Sequence, residues 1–345
     1  MKLGLILGYG GKRINFPMDL ILQAESLGYD SVWTAEAWGA DAVSTASWVL
    51  AQTTTLKVGT AIMQMPARTP AMTAMTALTL SQLSNNRFIL GLGVSGPQVV
   101  EGWHGAPYGK PMTRTREYIQ IVKEIFAREK PLEFDGEMYQ IPNRADGTTG
   151  LGKPLKTILE GNSNIPVYTA SITPAGLACA GEFADGVFPV WMSPDQCELV
   201  GEHVSKGINR AEGKTASDFE VAPFVSVVLG DDVKACMDAL RPSLALYIGG
   251  MGARDKNFYN DYAVRMGYGA EAKQIQDLYL AGNKAEAIAR VPDELVDEVY
   301  LVGPKARIAK RAQRWKAAGD SGQIGAMLLG VSQPEVLEIM AELML

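Results

Sequence analysis

The sequence predicts an α/β fold: a (β/α)8 TIM barrel carrying insertion segments. Three features lead to it. Short apolar runs alternate with longer amphipathic stretches, the pattern of successive strand and helix units around a parallel sheet. Eight such pairs can be counted along the chain. The 345 residues are enough for a barrel of about 250 residues plus insertions in one unit spanning 1–345. An open, doubly wound sheet is the structural alternative.

The elements follow in order. Leu3–Leu7 is the first strand, and Pro17–Leu27 its helix, with Leu20, Ile21, Ala24 and Leu27 at helical spacing. Ser31–Thr34 is the second strand, followed by a helix from Asp41 to Ala51. Leu56–Met63 is the third, and Pro70, suited to a first turn, opens a helix through Leu83. Arg87–Leu90 is the fourth strand; a glycine-rich loop then leads to an amphipathic helix over Thr113–Ala127, with no helix expected before Thr113. Between 132 and 160 lies the first insertion, where Asp135-Gly136 signals a hairpin turn. Pro166–Ala170, Gly186–Val190 and Phe219–Leu229 are strands five to seven, with helices Pro174–Ala184, Pro194–Asn209 and Asp231–Leu246. The stretch 249–297, rich in Gly, Asn and charge with helical patches, is the second insertion. Gly325–Leu329 is the eighth strand, between helices Lys305–Ala318 and Pro334–Leu343.

Composition narrows the function. Hydrophobic residues make up 47% and charged residues 20%, as in ordinary globular proteins, so binding is expected in a pocket. A formal charge of -6 and the lack of any basic block argue against nucleic acid. Cys179, Cys197 and Cys236 are widely spaced and His104 and His203 are the two histidines, so neither a disulfide framework nor a metal centre is expected. A reducing cytoplasm fits this cysteine usage. The apolar run at 1–7 is too short for a signal peptide, and no stretch approaches the ~18 apolar residues of a membrane span.

Gly91-Leu92-Gly93-Val94-Ser95-Gly96 matches G-x-G-x-x-G directly after a strand. A dinucleotide fingerprint needs a helix to begin inside the motif and an acid ~20 residues on; here Pro97 follows and Gly102, Gly105 and Gly109 prolong the loop. The loop is therefore read as part of the mouth at the C-terminal ends of the strands, where barrel enzymes carry their sites. Ser95 fails the G-x-S-x-G pattern of a hydrolase nucleophile.

Several segments resemble the luciferase-like flavin and deazaflavin oxidoreductase family, and most closely its coenzyme F420-dependent branch. They are Ser31-Val32-Trp33-Thr34-Ala35-Glu36-Ala37-Trp38-Gly39, Val58-Gly59-Thr60-Ala61-Ile62, Arg68-Thr69-Pro70-Ala71 onward to Asn86-Arg87-Phe88-Ile89-Leu90-Gly91-Leu92-Gly93, Pro166-Val167-Tyr168, Ala184-Asp185-Gly186 and Leu301-Val302-Gly303. The resemblance implies a ring of F420, or alternatively FMN, at the mouth, held by Gly8, Glu36, Thr60, Ala61, Ile62, Gly93, Val94, Ser95 and Gly96. It also implies a non-prolyl cis peptide at Ala61–Ile62. The phosphate-bearing tail would pass over Ala170, Ser171, Ile172 and Thr173 at the start of a helix, whose free N–H groups suit an anion.

The chain departs from the family where sugar-phosphate dehydrogenases carry Asp-His after the second strand, since it has Glu36-Ala37, and where they carry glutamate, since it has Pro97. Alcohol oxidation needs a base, so the expectation is a reductase that delivers hydride to an electron-poor C=C, C=N or carbonyl group. Glu36 and His104 are the candidate proton-transfer residues. Tyr9, Trp38, Gln64, Met65, Trp103 and Trp191 are the expected walls of a pocket for a hydrophobic small molecule. A homodimer is expected on the helix Pro70–Leu83, whose small and flexible residues permit close approach. A luciferase-like monooxygenase using FMN and a non-catalytic F420 carrier are the competing functions.

Overall fold

A computed structural model describes residues 1–8, 12–14 and 16–345. Its strands are β1 (Lys2–Ile6), β2 (Ser31–Thr34), β3 (Lys57–Thr60), β4 (Met63–Gln64), β5 (Phe88–Gly93), β6 (Phe134–Asp135), β7 (Gln140–Ile141), β8 (Val167–Ala170), β9 (Gly186–Phe188), β10 (Glu220–Val221), β11 (Phe224–Leu229), β12 (Leu301–Gly303) and β13 (Ala326–Gly330). Parallel pairing runs from β1 through β2, β3, β5, β8 and β9 to β10 on one side, and from β1 through β13 to β11 on the other. A bridge from Val190 to Phe224 joins the two arms, so the sheet closes into the expected barrel. Helices cover its outside.

Side chains of successive strand residues point to opposite faces. Val32, Val58, Leu90 and Val167 therefore pack outward under the helices, whereas Trp33, Ile89, Tyr168, Phe188 and Phe224 converge on the barrel axis. The rings of Trp33 and Phe188 meet edge to face with centroids 4.9 Å apart. Gly59 makes room for them, because a Cβ there would lie 2.2 Å from the Trp33 ring. The barrel is thus plugged by aromatic side chains below its mouth.

At the floor, the turn between the second helix (Ala42–Gln52) and β3 is held from two sides. Glu25 Oε1 accepts from the amides of Thr54, Thr55 and Leu56 at 2.7, 2.6 and 3.2 Å. Arg87 donates to the carbonyls of Leu50, Thr53 and Leu56 at 3.0, 3.0 and 2.6 Å. The carbonyls at the end of that helix, which no helical N–H can reach, are satisfied in this way.

The structure corrects several expectations. A short helix, Pro97–Gly102, begins directly after the glycine loop, although none was expected before Thr113; proline at its first position fixes the backbone there. Asp135 pairs with Gln140, so the hairpin loop spans four residues rather than turning on Asp135-Gly136. The stretch after β11 is helical almost throughout: Arg241–Gly250, Phe258–Arg265, Gly269–Leu280, Lys284–Ala289 and Asp293–Val299 share a core of Leu244, Ile248, Tyr262, Ile275 and Leu295. β12 was not anticipated as a strand; it pairs with the outer end of β11. No helix among the described residues is long and apolar enough to cross a membrane.

Candidate active site

The mouth is built from the chain segments that follow β2, β3, β5, β8 and β9. Between β3 and β4 the strand carries an extra residue. Gly59 pairs with Ile89 and Met63 with Leu92, so four steps along one strand match three along its neighbour, which is the geometry of a bulge. The Ala61–Ile62 peptide within it is cis, where the family resemblance placed one. Thr60 does not offer its side chain to a ligand, because it is fully buried and its hydroxyl both donates to Gly91 O and accepts from Gly91 N at 2.9 Å. It stitches the bulge to β5.

Gly93 and Gly96 differ in why they are glycine. A Cβ on Gly93 would lie 2.7 Å from Ile62 Cγ1, so the missing side chain lets the bulge pack on β5. At Gly96 a Cβ would meet only the end of the Gln98 side chain, 3.3 Å away, and at Gly8 nothing within 4 Å. These two positions leave open surface at the mouth. Ser95 and Trp191, also at strand ends, have φ of 58° and 52°, a left-handed backbone seldom adopted by residues other than glycine and often found at functional sites.

Glu36 is buried at the end of β2, and its carboxylate is saturated. Oε1 accepts from Gln64 N at 2.8 Å, Oε2 accepts from Ala42 N at 2.9 Å and from Arg68 Nη2 at 3.0 Å, and Arg68 Nη1 also donates to Oε1. A carboxylate has about four lone-pair positions, and all of them are occupied. The expectation that Glu36 donates a proton or grips a ligand is therefore corrected: it ties together the β2 loop, the bulge and the start of the second helix. Arg68 is the partner missed in the sequence, where the only clue was that a buried acid requires a cation. Tyr118, whose phenol is pushed up by burial, donates in turn to Arg68 O at 3.2 Å.

Gln64 extends this chain of contacts. Its side-chain amide donates to Ala37 O at 2.6 Å, and its Oε1 lies 3.4 Å from Nε2 of His104. The structure thus links His104, on the segment after β5, through Gln64 to Ala37, the position where the resemblance showed a histidine to be missing. Arg114 holds that segment by donating to the carbonyls of Tyr108 and Pro107 at 2.9 and 2.8 Å.

The expected pocket walls divide. Trp38 and Trp103 are 58% and 67% exposed at the rim, and Ile62 and Val94 are partly buried. Met65 is buried in the core between barrel and helices and cannot line a pocket. Trp191, 4% exposed, is packed against Tyr247 and Tyr259 of the helical insertion, with ring centroids 5.9 and 5.5 Å away, so it belongs to that core. Burial pushes the Tyr300 phenol beside it to about 12 against the opposing effect of a hydrogen bond with Trp191. Tyr9 lies outside the described residues.

Of the loop after β8, Ala170 is exposed, Ser171 and Thr173 are partly buried, and the Ile172 side chain is buried in the insertion core. Thr173 caps the helix Pro174–Phe183 by accepting from Gly176 N. Arg265, from the insertion, donates through Nη2 to Ile172 O at 2.5 Å, while its Nη1 is buried with no acceptor among the described residues. Nothing in the local sequence singles out Arg265.

The profile of the luciferase-like monooxygenase family matches residues 2–322. The chain belongs to the luciferase-like monooxygenase family. Similar to this luciferase-like chain is a Mycobacterium tuberculosis protein provisionally named a coenzyme F420-dependent oxidoreductase, 44% identical over 322 residues, which are 92% of this chain and 93% of that protein. A coenzyme F420-dependent tetrahydromethanopterin reductase from Methanopyrus kandleri has the same fold, with a TM-score of 0.77 at 20% identity over 99% of this chain and 97% of its own. An F420-dependent secondary alcohol dehydrogenase, solved with an F420-acetone adduct, gives 0.75 at 19% identity over 99% and 97%.

Proposed function

We propose that this luciferase-like protein is an F420-dependent oxidoreductase that works as a reductase on a hydrophobic small molecule. The cofactor reading is supported by the 44% identical relative and by open, side-chain-free surface at Gly8 and Gly96. Those glycines, the Ala61–Ile62 bulge and Val94 to Gly96 would hold the ring. The loop from Ala170 to Thr173 would hold the tail, and the unpartnered Arg265 Nη1 fits an anionic group nearby. Bound in reduced form, the deazaflavin supplies a hydride.

The observation that carries the reductase direction is the saturated carboxylate of Glu36. With its lone pairs filled, Glu36 cannot take a proton from an alcohol, which leaves His104 as the proton-transfer residue. An electron-poor acceptor needs a proton only after it has taken the hydride. His104 supplies that proton. Trp38 and Trp103 at the rim suit an apolar substrate, and exposed aromatic rings of this size commonly mark a binding surface. Glu36 and Arg68 keep the β2 loop and the bulge fixed while substrate enters.

Fluorescence titration with F420 and with FMN, followed by oxidation of reduced F420 against enones, imines and nitroaromatics, tests this reading. The expected result is saturable binding of F420 and turnover of at least one acceptor. Oxygen-dependent turnover with FMN, or efficient reduction of F420 by simple secondary alcohols, would contradict it.

We further propose a homodimer on the helix Pro70–Leu83. That helix buries Thr73, Ala74, Ala77 and Leu78 on its own barrel while Met72, Met75 and Leu83 stay exposed on other faces. Light scattering at micromolar concentration should give twice the chain mass, and a monomer mass would remove the idea.

A further inference from the structure

We infer that Gln64 is a positioning residue that fixes which ring nitrogen of His104 carries the proton. The inference rests on the proposed role of His104 in proton transfer. Gln64 is itself tightly constrained. It is 2% exposed, its main-chain N–H is held by Glu36, and its strand is paired with β5 at Gly93, so the side chain has little freedom to move.

The orientation of the amide is settled by what it faces. Ala37 O lies 2.6 Å from one end of the amide. A carbonyl oxygen can only accept, so that end must be the NH2 group. The other end is then Oε1, itself an acceptor, and it faces Nε2 of His104 at 3.4 Å. A lone pair on Nε2 would point at a lone pair on Oε1. Nε2 therefore carries hydrogen whether the ring is neutral or cationic. The 3.4 Å separation is long, as catalytic hydrogen bonds often are before substrate is present.

Nδ1 of His104 has no partner among the described residues and is left as the nitrogen that gains and loses the proton. When an imidazolium Nδ1–H gives its proton to the substrate atom beside the carbon that has accepted hydride, the Nδ1–H bond breaks and a new bond to that atom forms. The ring left behind is neutral and still donates through Nε2 to Gln64. The ring keeps its place through the whole step because the same contact serves both charge states. Glu36 and Arg68 act one step further back, by fixing the main chain of Gln64.

The chain has two histidines, so 15N NMR of histidine-labelled protein reads each ring separately, with His104→Ala assigning the signals. In the neutral range, wild-type His104 is expected to show the Nε2–H pattern alone. In Gln64→Leu it should drift towards a mixture of tautomers, whereas Gln64→Glu, as a neutral acid whose O–H donates to Ala37 O, keeps an acceptor towards the ring and should keep Nε2–H. His203 stays unchanged in both variants. With reduced F420, Gln64→Leu is expected to lower kcat about tenfold or less, the worth of one ordinary hydrogen bond, with cofactor affinity unchanged. An Nδ1–H pattern in the wild type, or an unaltered His104 pattern in Gln64→Leu, overturns the inference. Should Gln64→Leu not fold, the wild-type and Gln64→Glu spectra still decide it. If His104→Ala retains full turnover while the tautomer result holds, the functional reading fails and the structural inference stands.

Discussion

The two ends of the barrel use the same device for different purposes. At the floor, Glu25 gathers the amides of Thr54, Thr55 and Leu56, and Arg87 takes the carbonyls around them, so the turn is closed on itself. At the mouth, Glu36 gathers the amides of Ala42 and Gln64 and pairs with Arg68. There the network continues through Gln64 to a histidine whose second ring nitrogen has no partner among the described residues. Trp38 and Trp103, next in sequence to Ala37 and His104, stand exposed. A carboxylate that closes its network stabilises the fold; one whose network runs on to an open group holds a site ready.

Removing Arg68 should have the greatest consequence. Arg68→Met would leave Glu36 buried without its cation, and breaking such a pair typically costs about 3–5 kcal/mol. Urea unfolding measures it. A loss below about 1 kcal/mol would mean that the pair behaves like an exposed ion pair and that the mouth is less tightly braced than proposed.

Glu25 should matter less and in a pH-dependent way. Partial burial alone would raise its carboxyl, but the amides of Thr55, Thr54 and Leu56 outweigh this and hold it at about 2, below the ordinary 4.5. Its folded value is depressed, so its stabilisation is present above pH 4.5 and is lost as pH falls towards 2. Glu25→Gln should cost about 1–2 kcal/mol at neutral pH and flatten that acid limb in denaturation series. An unchanged limb would show that other groups set the acid response.

A further pair of substitutions separates the two loop glycines, one of them with the smallest effect expected of all. Gly93→Ala pushes on Ile62 and should cost about 1–3 kcal/mol, the usual range for overpacking. Gly96→Ala should stay within about 0.5 kcal/mol, since only the flexible end of Gln98 is near. The larger Gly96→Val should nevertheless weaken F420 binding. Equal losses of stability and binding would make the loop merely structural.

The barrel was legible because its physics is periodic. Ser31–Thr34 matched residue for residue, and the other barrel strands agreed within a few residues, apart from the third and seventh, which break into two pieces. The second insertion was harder, since its helices bury their faces against one another and against Ile172 and Trp191, which no local pattern reveals. The candidate site was legible as a place rather than as a set of contacts. His104 was named as a candidate proton-transfer residue and Gln64 as a pocket wall, but that they meet depends on two segments forty residues apart. Glu36 was misread because nothing in its neighbourhood along the chain shows that Arg68 saturates it. Met65 and Trp191 were misread because an apolar residue near a strand end can face the core as readily as the mouth.

The decisive comparison sets His104→Ala against the wild type in single-turnover oxidation of reduced F420 by an accepted substrate, with F420 affinity measured alongside. Loss of a positioned acid typically lowers the rate about 100-fold to 10,000-fold, and this drop is expected here with F420 affinity unchanged. A rate equal to that of the wild type would contradict the reading that the mouth is organised to hold His104 for proton transfer.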